Sequence, residues 1–451
     1  MAGALATLAG GARRPNVVLI VVDTLRADHL GCYGYARPTS PHLDALAARG
    51  ARFEQVRATS SWTAASVASI LSGLYPAVHG VQASATVLAE SLTTVAEQLA
   101  AEGYATAGFS ANAAFVTREQ GFAQGFDEFQ VLHGPPVLRT STEDRIPIDP
   151  QFRRYAKVAT ADLVTDAGLA WLAGRRSSAS PFLLYLHYFD PHAGYFPPPR
   201  HRARFGVPAD APLAGPAQWD FYMRFALGGG REDLPTFVAL YDAEIAFVDE
   251  EIGRLLAGLE RRRTGPTLVV VTSDHGEEFG EHGSLLHGFT LFAEQLRVPL
   301  IMAGPGVPAG KVVTASVSLA GLRATLGDLT HTPARDARPI QPSFAGLLHD
   351  RETASAPIFA DLDSAGARHH HAVVSERWKL LTSPAAPALY DLETDPAEQT
   401  DLLGTEPERR AALTRLLEAR NQAAARARVS PGTVPTSPLR RARLKALGYV
   451  E

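Results

Sequence analysis

Two aspartates and a histidine stand directly after two apolar runs. Asp23 follows Val17 to Val22 in PNVVLIVVDTLRAD, and Asp274-His275 lie just beyond Leu268 to Val271 in TLVVVTSDHGEEFGEHG. Each run is too short for a helix of ordinary length and is rich in β-branched residues. It reads as a strand buried on both faces, the mark of a parallel sheet under helices. Ligands in open α/β sheets collect at the carboxyl ends of such strands. If the two strands lie side by side, two carboxylates and an imidazole converge on one point, which outlines a metal site. The competing reading is a capping Asp after each strand.

A hydroxyl can join that set. SSWTAASVASILSGLYPAVHG predicts a tightly packed helix from Thr63 to Leu71, with Ser60 or Ser61 as cap and Gly73 as stop. Thr63 falls in the first turn, where free N–H groups and the helix dipole favour negative charge. That is a place for a nucleophile that attacks an anionic ester. It is also a place for a capping residue.

The surrounding chain supplies the elements that would hold these groups. SPHLDALAARG reads as a helix with Ser40 as N-cap, Pro41 in the first turn and Gly50 as its end. ARFEQVRAT follows as a strand. A helix capped by Ser91 turns Leu92, Val95 and Leu99 inward, and the strand Ala105 to Phe109 ends just before Asn112. GFDEF reads as a turn, and Gly134 to Arg153 as a surface loop. Thr160 to Ala173 has helical spacing. Phe182 to Tyr188 is another buried strand, running into a loop with Asp190 and His192. Tyr195 to Arg231 lacks periodicity and reads as a long lid or excursion. TFVALYDAEIAFVDEEIGRLLAGLE is the clearest amphipathic helix, its acidic residues read as a solvated face. Leu296 to Met302 predicts a strand and Leu319 to Leu329 a helix. Past a Pro-, Asp- and Arg-rich boundary come short antiparallel strands and a closing helix from Pro407 to Ala425. Neighbours in a strand point to opposite faces, so His369-His370-His371 reads as structural. His79 and His282 fit satisfied structural histidines as well as site residues.

With 451 residues, 46% hydrophobic and 20% charged, the chain has the make-up of a soluble globular protein with ample core. A net charge of −4 gives no argument for a nucleic-acid partner. The lone Cys32 rules out an internal disulfide framework. Lys157, Lys311, Lys379 and Lys445 are the only lysines, and none lies in a stretch assigned to the site. The Arg- and Ala-rich composition fits a GC-rich bacterial coding bias. No apolar run reaches the ~18 residues of a membrane helix. MAGALATLAGGARR lacks the charged and apolar regions of a signal peptide and is expected to be a disordered leader or the remnant of a signal.

Together these stretches resemble the sulfatase family of the alkaline phosphatase superfamily. The marks are PNVVLIVVDTLRADHLGCYG, SWTAASVASILSGLYPAVHG, GYATAGF, GFDEF, FLLYLHYFDPHAGYFPP, TSDHGEEFGEHG, LRVPLIMAGPG, RWKLL, LYDLETDPAEQTDLL and LKALGYVE, in the family's order over nearly the whole chain. The resemblance implies an α/β fold: a large, mixed, mostly parallel sheet between helices, with a small C-terminal antiparallel sheet and helix. Residues 1–14 would be leader, 15–340 the catalytic domain and 341–451 the C-terminal subdomain.

The resemblance also marks departures. Thr63 stands where sulfatases carry the Cys or Ser that is oxidised to formylglycine, and Ala65 and Val67 stand at the Pro and Arg places. Threonine cannot give the aldehyde, so no formylglycine is expected. Ala111 or its neighbour and His287 occupy the places of two lysines, and Thr24 that of the second paired aspartate. What remains looks like the phosphodiesterase and headgroup-transferase branches, which use a metal-bound threonine. That implies one divalent ion (Zn, Mn or Ca) on Asp23, Thr63, Asp274 and His275. An O,O,N set with one imidazole suits Zn²⁺ or Mn²⁺ better than Ca²⁺. Asn112 would donate to an ester oxygen. His192 and His287 would bind ester oxygens or protonate the leaving group. The expected substrate is a small anionic ester. A hydrolase, a transferase with the same intermediate, and a non-catalytic anion-binding protein all fit these residues.

Overall fold

The apolar run that precedes Asp23 forms β1 (Asn16–Val22), fully buried along its length. In the computed structural model, residues 14–133, 159–175, 180–208, 211, 216–334, 336, 340–351, 356–364, 368–383 and 387–435 are described. After β1 come α1 (Pro41–Ala48), β2 (Ala51–Arg57), α2 (Thr63–Ser72), α3 (Val95–Ala100), β3 (Ala105–Ser110) and β4 (Glu128–Val131). Then follow α4 (Ala161–Gly174), β5 (Phe182–Tyr188), α5 (Pro199–Arg204), α6 (Pro216–Ala226) and α7 (Leu234–Arg262). β6 (Thr267–Ser273), β7 (Leu300–Ala303), β8 (Lys311–Ser318) and α8 (Leu322–Thr330) complete the large unit.

The eight strands form one sheet in the order β8-β2-β7-β6-β1-β5-β3-β4. Only β7 runs antiparallel to its neighbours. β1 is central, and the register sets Val22 beside both Ser273 of β6 and Tyr188 of β5. Alternate side chains of β1 enter opposite cores. Val17, Leu19 and Val21 pack on the face that holds Val67, Val95 and Leu326, from α2, α3 and α8. Val18, Ile20 and Val22 pack on the face that holds Leu43, Val164 and Leu240, from α1, α4 and α7. Both faces are dry, so the run has no polar alternation. Each such side chain contributes about 1.5–3 kcal/mol on burial.

Several expectations need correction. Four of the six acidic residues of α7 are not on a solvated face: Asp242, Glu244, Asp249 and Glu251 are buried, while Glu250 and Glu260 are exposed as expected. Asp249 accepts from the backbone N–H groups of His42 (3.0 Å) and Leu43 (2.8 Å), doing the capping expected of Ser40. The Ser40 hydroxyl instead accepts from Gly31 N. Thr94, not Ser91, caps α3, in a reciprocal capping box with Glu97. Neither Ser60 nor Ser61 caps α2: its N-cap is Trp62, and Ser61 donates to Thr290 O. Part of the expected GFDEF turn is edge strand β4. The Tyr195–Arg231 stretch contains α5 and α6. β7 starts only at Leu300, because Ala293–Leu296 winds into a helical turn. The loop expected over Gly134 to Arg153 lies outside the described residues.

A second, antiparallel sheet holds β9 (Ile358–Ser364), β10 (Arg368–Ser375), β11 (Trp378–Thr382) and β12 (Ala388–Asp391), in sequence order, with α9 (Pro407–Ala427) packed against it. His369 pairs with Asp363 and His371 with Asp361 across its first two strands. No helix among the described residues is long and apolar enough to cross a membrane.

Candidate active site

Asp23 and Asp274 follow the paired ends of β1 and β6, so the sheet register alone brings their carboxylates together. Both are fully buried. Asp23 Oδ1 and Asp274 Oδ2 have no hydrogen-bond partner. Two orphaned, dry carboxylate oxygens facing one locus are costly unless a cation or proton lies between them. His275 Nε2 is 3.5 Å from Asp274 Oδ2 and 3.7 Å from Asp23 Oδ1. Donors around a tetrahedral ion with ~2.1 Å bonds are separated by about 3.4 Å. The residues therefore fit a divalent ion.

The imidazole is already aimed. His275 Nδ1 donates to Gly276 O at 3.0 Å, which leaves Nε2 as the lone pair toward the carboxylates. Thr63 Oγ1 lies 3.2 Å from that same Nε2. Thr63 is the first residue of α2, and Ser66 on the next part of the turn donates to Asp274 O at 2.6 Å. That bond ties the helix N-terminus to the strand end. Thr24 holds a left-handed backbone (φ 56), and its N–H donates to Asp274 Oδ1 at 3.3 Å. Non-glycine residues in that region concentrate at functional sites.

Asn112 sits just past β3. Its Oδ1 accepts from Ala114 N and Phe115 N, which turns its amide nitrogen toward Asp23 Oδ2 at 2.8 Å. Asn112 is thus committed in part to orienting Asp23, a role the sequence did not suggest. The His287 ring lies 4.4 Å from that of His275, and the His192 ring 4.8 Å edge-on to His287. All seven residues singled out in the sequence lie in one contact network.

Three further residues belong to it. His187 Nε2 is 3.4 Å from Asp23 Oδ2, and Asp23, His187 and Asp274 form a group able to ligate a metal. His187 faces the site from inside β5, a residue before the strand end, where an apolar run conceals it. Glu277 accepts from His287 Nδ1 at 2.8 Å, and the Tyr195 hydroxyl donates to Glu277 at 3.3 Å. The acidic run after Asp274-His275 was the available signal for Glu277, and a fifth residue in a Pro-rich loop gave none for Tyr195.

The electrostatics follow from dryness. Burial and then the Asp23 charge push Asp274 up to about 7. Burial also works to raise Asp23, but the His187 hydrogen bond and the neighbouring imidazoles outweigh it and hold the group well below the usual carboxylate range. Burial lowers His192 and His275, and takes His287 down to about 4. Burial raises Glu277 to about 7. Burial thus favours the neutral form of His192, His275 and His287. Val67, expected at the arginine place of the helix motif, lies deep in the apolar core, and Ala111 is equally buried.

A family model described as Sulfatase matches residues 15–332. An arylsulfatase of Clostridium perfringens is 26% identical over 446 residues, spanning 87% of this chain and 91% of its own length. A choline-sulfatase of Rhizobium meliloti is 28% identical over 431 residues, spanning 86% and 82%. Among solved structures, the phosphonate monoester hydrolase of Agrobacterium radiobacter superposes with a TM-score of 0.71 at 22% identity, covering 91% of this chain and 96% of its own.

Proposed function

Because the chain belongs to the sulfatase family, a family of sulfuric and phosphoric ester hydrolases, we propose that it cleaves a phosphodiester or phosphonate monoester with Thr63 as nucleophile. The observation that supports this reading is the Thr63 hydroxyl at a helix N-terminus, 3.2 Å from His275 Nε2 and beside two orphaned carboxylate oxygens. Asp23, Asp274, His275 and the Thr63 oxygen would hold one divalent ion, with His187 at its edge. Such an ion lowers the pKa of a bound hydroxyl and offsets charge on an ester oxygen.

In the first step Thr63 Oγ1 gives up its proton to solvent and forms a bond to phosphorus as the P–O bond to the leaving group breaks, the leaving oxygen departing as an aryloxide or alkoxide that takes up a solvent proton. The free N–H groups of α2 face the developing charge. In the second step water forms the new P–O bond as the bond to Oγ1 breaks; the water proton passes to Nε2 of His192 or His287 and from there, through solvent, restores the Thr63 hydroxyl. His192 Nδ1 donates to Ala193 O at 3.1 Å and His287 Nδ1 to Glu277. Each neutral ring therefore presents Nε2 as an acceptor. On this reading they accept a proton from the incoming water, and the expected protonation of the leaving group would call on the imidazolium form. The second Asn112 amide hydrogen is assigned to a non-bridging ester oxygen. No formylglycine forms, because Thr63 has no route to the aldehyde.

The test is rapid-mixing kinetics with a bis(aryl) phosphate, with and without chelator, coupled to intact mass spectrometry. A metal-dependent burst with an adduct on Thr63 supports the reading. An adduct elsewhere, or turnover unaffected by thorough chelation, overturns it.

A further inference from the structure

One carboxylate touches both loops that carry His192 and His287. Glu277 is fully buried, two residues past His275. Gly276 between them fixes the path: a Cβ there would lie 2.0 Å from Glu294 O, so only glycine lets the two backbones approach. The Glu277 carbonyl accepts from Arg26 Nη1 at 2.9 Å, and Arg26 is itself held by Asp28 and Glu281. The side chain thus starts from an anchored point.

Its two oxygens then go separate ways. Oε1 accepts from Nδ1 of His287 at 2.8 Å. Oε2 accepts from the Tyr195 hydroxyl at 3.3 Å. Tyr195 is fully buried against Phe237 and Tyr241, and both its backbone N–H and C=O bond the Gln218 side chain of α6, at 3.1 and 2.8 Å. Tyr195 closes the loop that begins at Asp190 and carries His192. Among the described residues Asp23, His187 and Asp274 form the group able to hold a metal, and Glu277 is outside it.

We propose that Glu277 is a positioning residue for both imidazoles: Oε1 fixes the His287 ring with its hydrogen on Nδ1 and Nε2 toward the ester, and Oε2, through Tyr195, fixes the His192 loop. The proposal rests on the reading of His192 and His287 as ester-contacting groups. A neutral imidazole without an acceptor at Nδ1 can carry its hydrogen on either nitrogen and can turn about its Cβ–Cγ bond. A buried acceptor at 2.8 Å removes both freedoms. Because the two rings meet edge-on, a shift of either loop moves the other ring.

The test compares Glu277→Ala, Glu277→Gln and Tyr195→Phe in the full chain loaded with Zn²⁺. Ring ¹⁵N NMR of histidine-labelled protein reads the His287 tautomer, assigned by the signal that His287→Gln removes. Glu277→Ala is expected to abolish the Nδ1–H tautomer signal and to lower kcat for a bis(aryl) phosphate by about 10- to 100-fold, with KM little changed. Glu277→Gln, which keeps an acceptor oxygen, recovers most of both. Tyr195→Phe lowers kcat less and leaves the His287 tautomer as it was. An unchanged tautomer in Glu277→Ala overturns the proposal, as does a kcat loss matched by an equal loss of bound zinc or by a collapsed melt in all three variants. If the wild type turns over no phosphodiester, the function proposed above fails while the tautomer comparison still decides the role of Glu277.

Discussion

Thr63 Oγ1 and His275 Nε2 lie 3.2 Å apart although 212 residues separate them in the chain. The contact exists because α2 begins at Thr63 itself and because Ser66, one turn in, bonds the carbonyl of Asp274. Helix start and strand end are pinned together, and the hydroxyl and imidazole face each other as a consequence.

Thr63→Ala is therefore expected to cost roughly 10³-fold or more in kcat, because it removes the covalent step. Thr63 does not cap α2, whose N-cap is Trp62, so the melting temperature should change little. Thr63→Ser should retain part of the activity. Steady-state rates beside thermal melts decide it: parallel loss of stability and activity would mark the hydroxyl as structural.

Asp274→Asn separates the two demands on the carboxylate pair. In metal-free protein two buried carboxylates repel, which is why burial and Asp23 push Asp274 up to about 7. Removing one charge should leave the metal-free melting temperature unchanged or higher. In wild type, saturating Zn²⁺ or Mn²⁺ should raise it, by about 2.7 kcal/mol of stability at a hundred times Kd. The variant should lose that gain and the bound metal, measured by elemental analysis. A variant that keeps both would remove Asp274 from the ligand set.

How much of this was legible in sequence depended on whether burial left a pattern. β1 and β6 were legible because dry faces on both sides force unbroken apolar runs. α2 was legible from its small residues and Gly73, whose left-handed backbone (φ 75) ends the helix. His187 was not, because its relation to Asp23 arises from the cross-strand register that sets it beside Val21. Four acids of α7 were misread for the same kind of reason. Charge on an amphipathic helix normally means solvent, but Asp242 accepts from His29, Tyr35 and Arg37, and Asp249 caps α1. Those partners lie some two hundred residues upstream and only the fold reveals them. Thr94 won the cap from Ser91 because only it has Glu97 at the reciprocal spacing.

Lys379 and Glu398 form a fully buried ion pair, with Nζ 2.7 Å from both carboxylate oxygens. Nζ also donates to Leu291 O at 2.7 Å, four residues past His287. The pair therefore ties the small sheet to the segment that follows the site. Removing one partner strands a buried charge, so Lys379→Met should destabilise by about 3–5 kcal/mol, and the double change Lys379→Met with Glu398→Leu by much less. Chemical denaturation of the three chains provides the measurement. Equal losses in the single and double variants would show that packing, rather than charge, dominates there.

His282 gives a pH signature at the same boundary. Burial works to lower it, but the Glu294 hydrogen bond at 2.8 Å outweighs burial and raises the group to about 9. Its folded pKa lies above an unfolded value near ~6.5. The stabilisation is then fully present below that unfolded value and is lost as pH rises toward about 9. Wild type should lose melting temperature across that window, and His282→Gln should show a flatter profile there. Identical slopes in the two proteins would assign the pH dependence to other groups.

Substrate preference follows from what stands in the charged positions of the family motif. Val67 and Ala111 are buried apolar side chains, and burial keeps the His287 ring uncharged near pH 7 by holding it down to about 4. The Asp23 and Asp274 carboxylates have only imidazoles as ion-pair partners among the described residues. A site with so little fixed positive charge binds a monoanion better than a dianion. The nucleophile argues in the same direction. A sulfatase aldehyde hydrate expels sulfate by losing its second hydroxyl proton, and threonine has no second hydroxyl. A sulfated Thr63 would need direct displacement by water at sulfur, whereas a phosphorylated Thr63 can be attacked in line at phosphorus. Bis(aryl) phosphates and aryl phosphonate monoesters should therefore turn over faster than aryl sulfates, and phosphate monoesters should lag behind the diesters. Intact mass spectrometry should show an unmodified Thr63 even after co-expression with a formylglycine-generating enzyme. Efficient aryl sulfate turnover by unmodified protein that leaves phosphodiesters untouched would reverse the assignment.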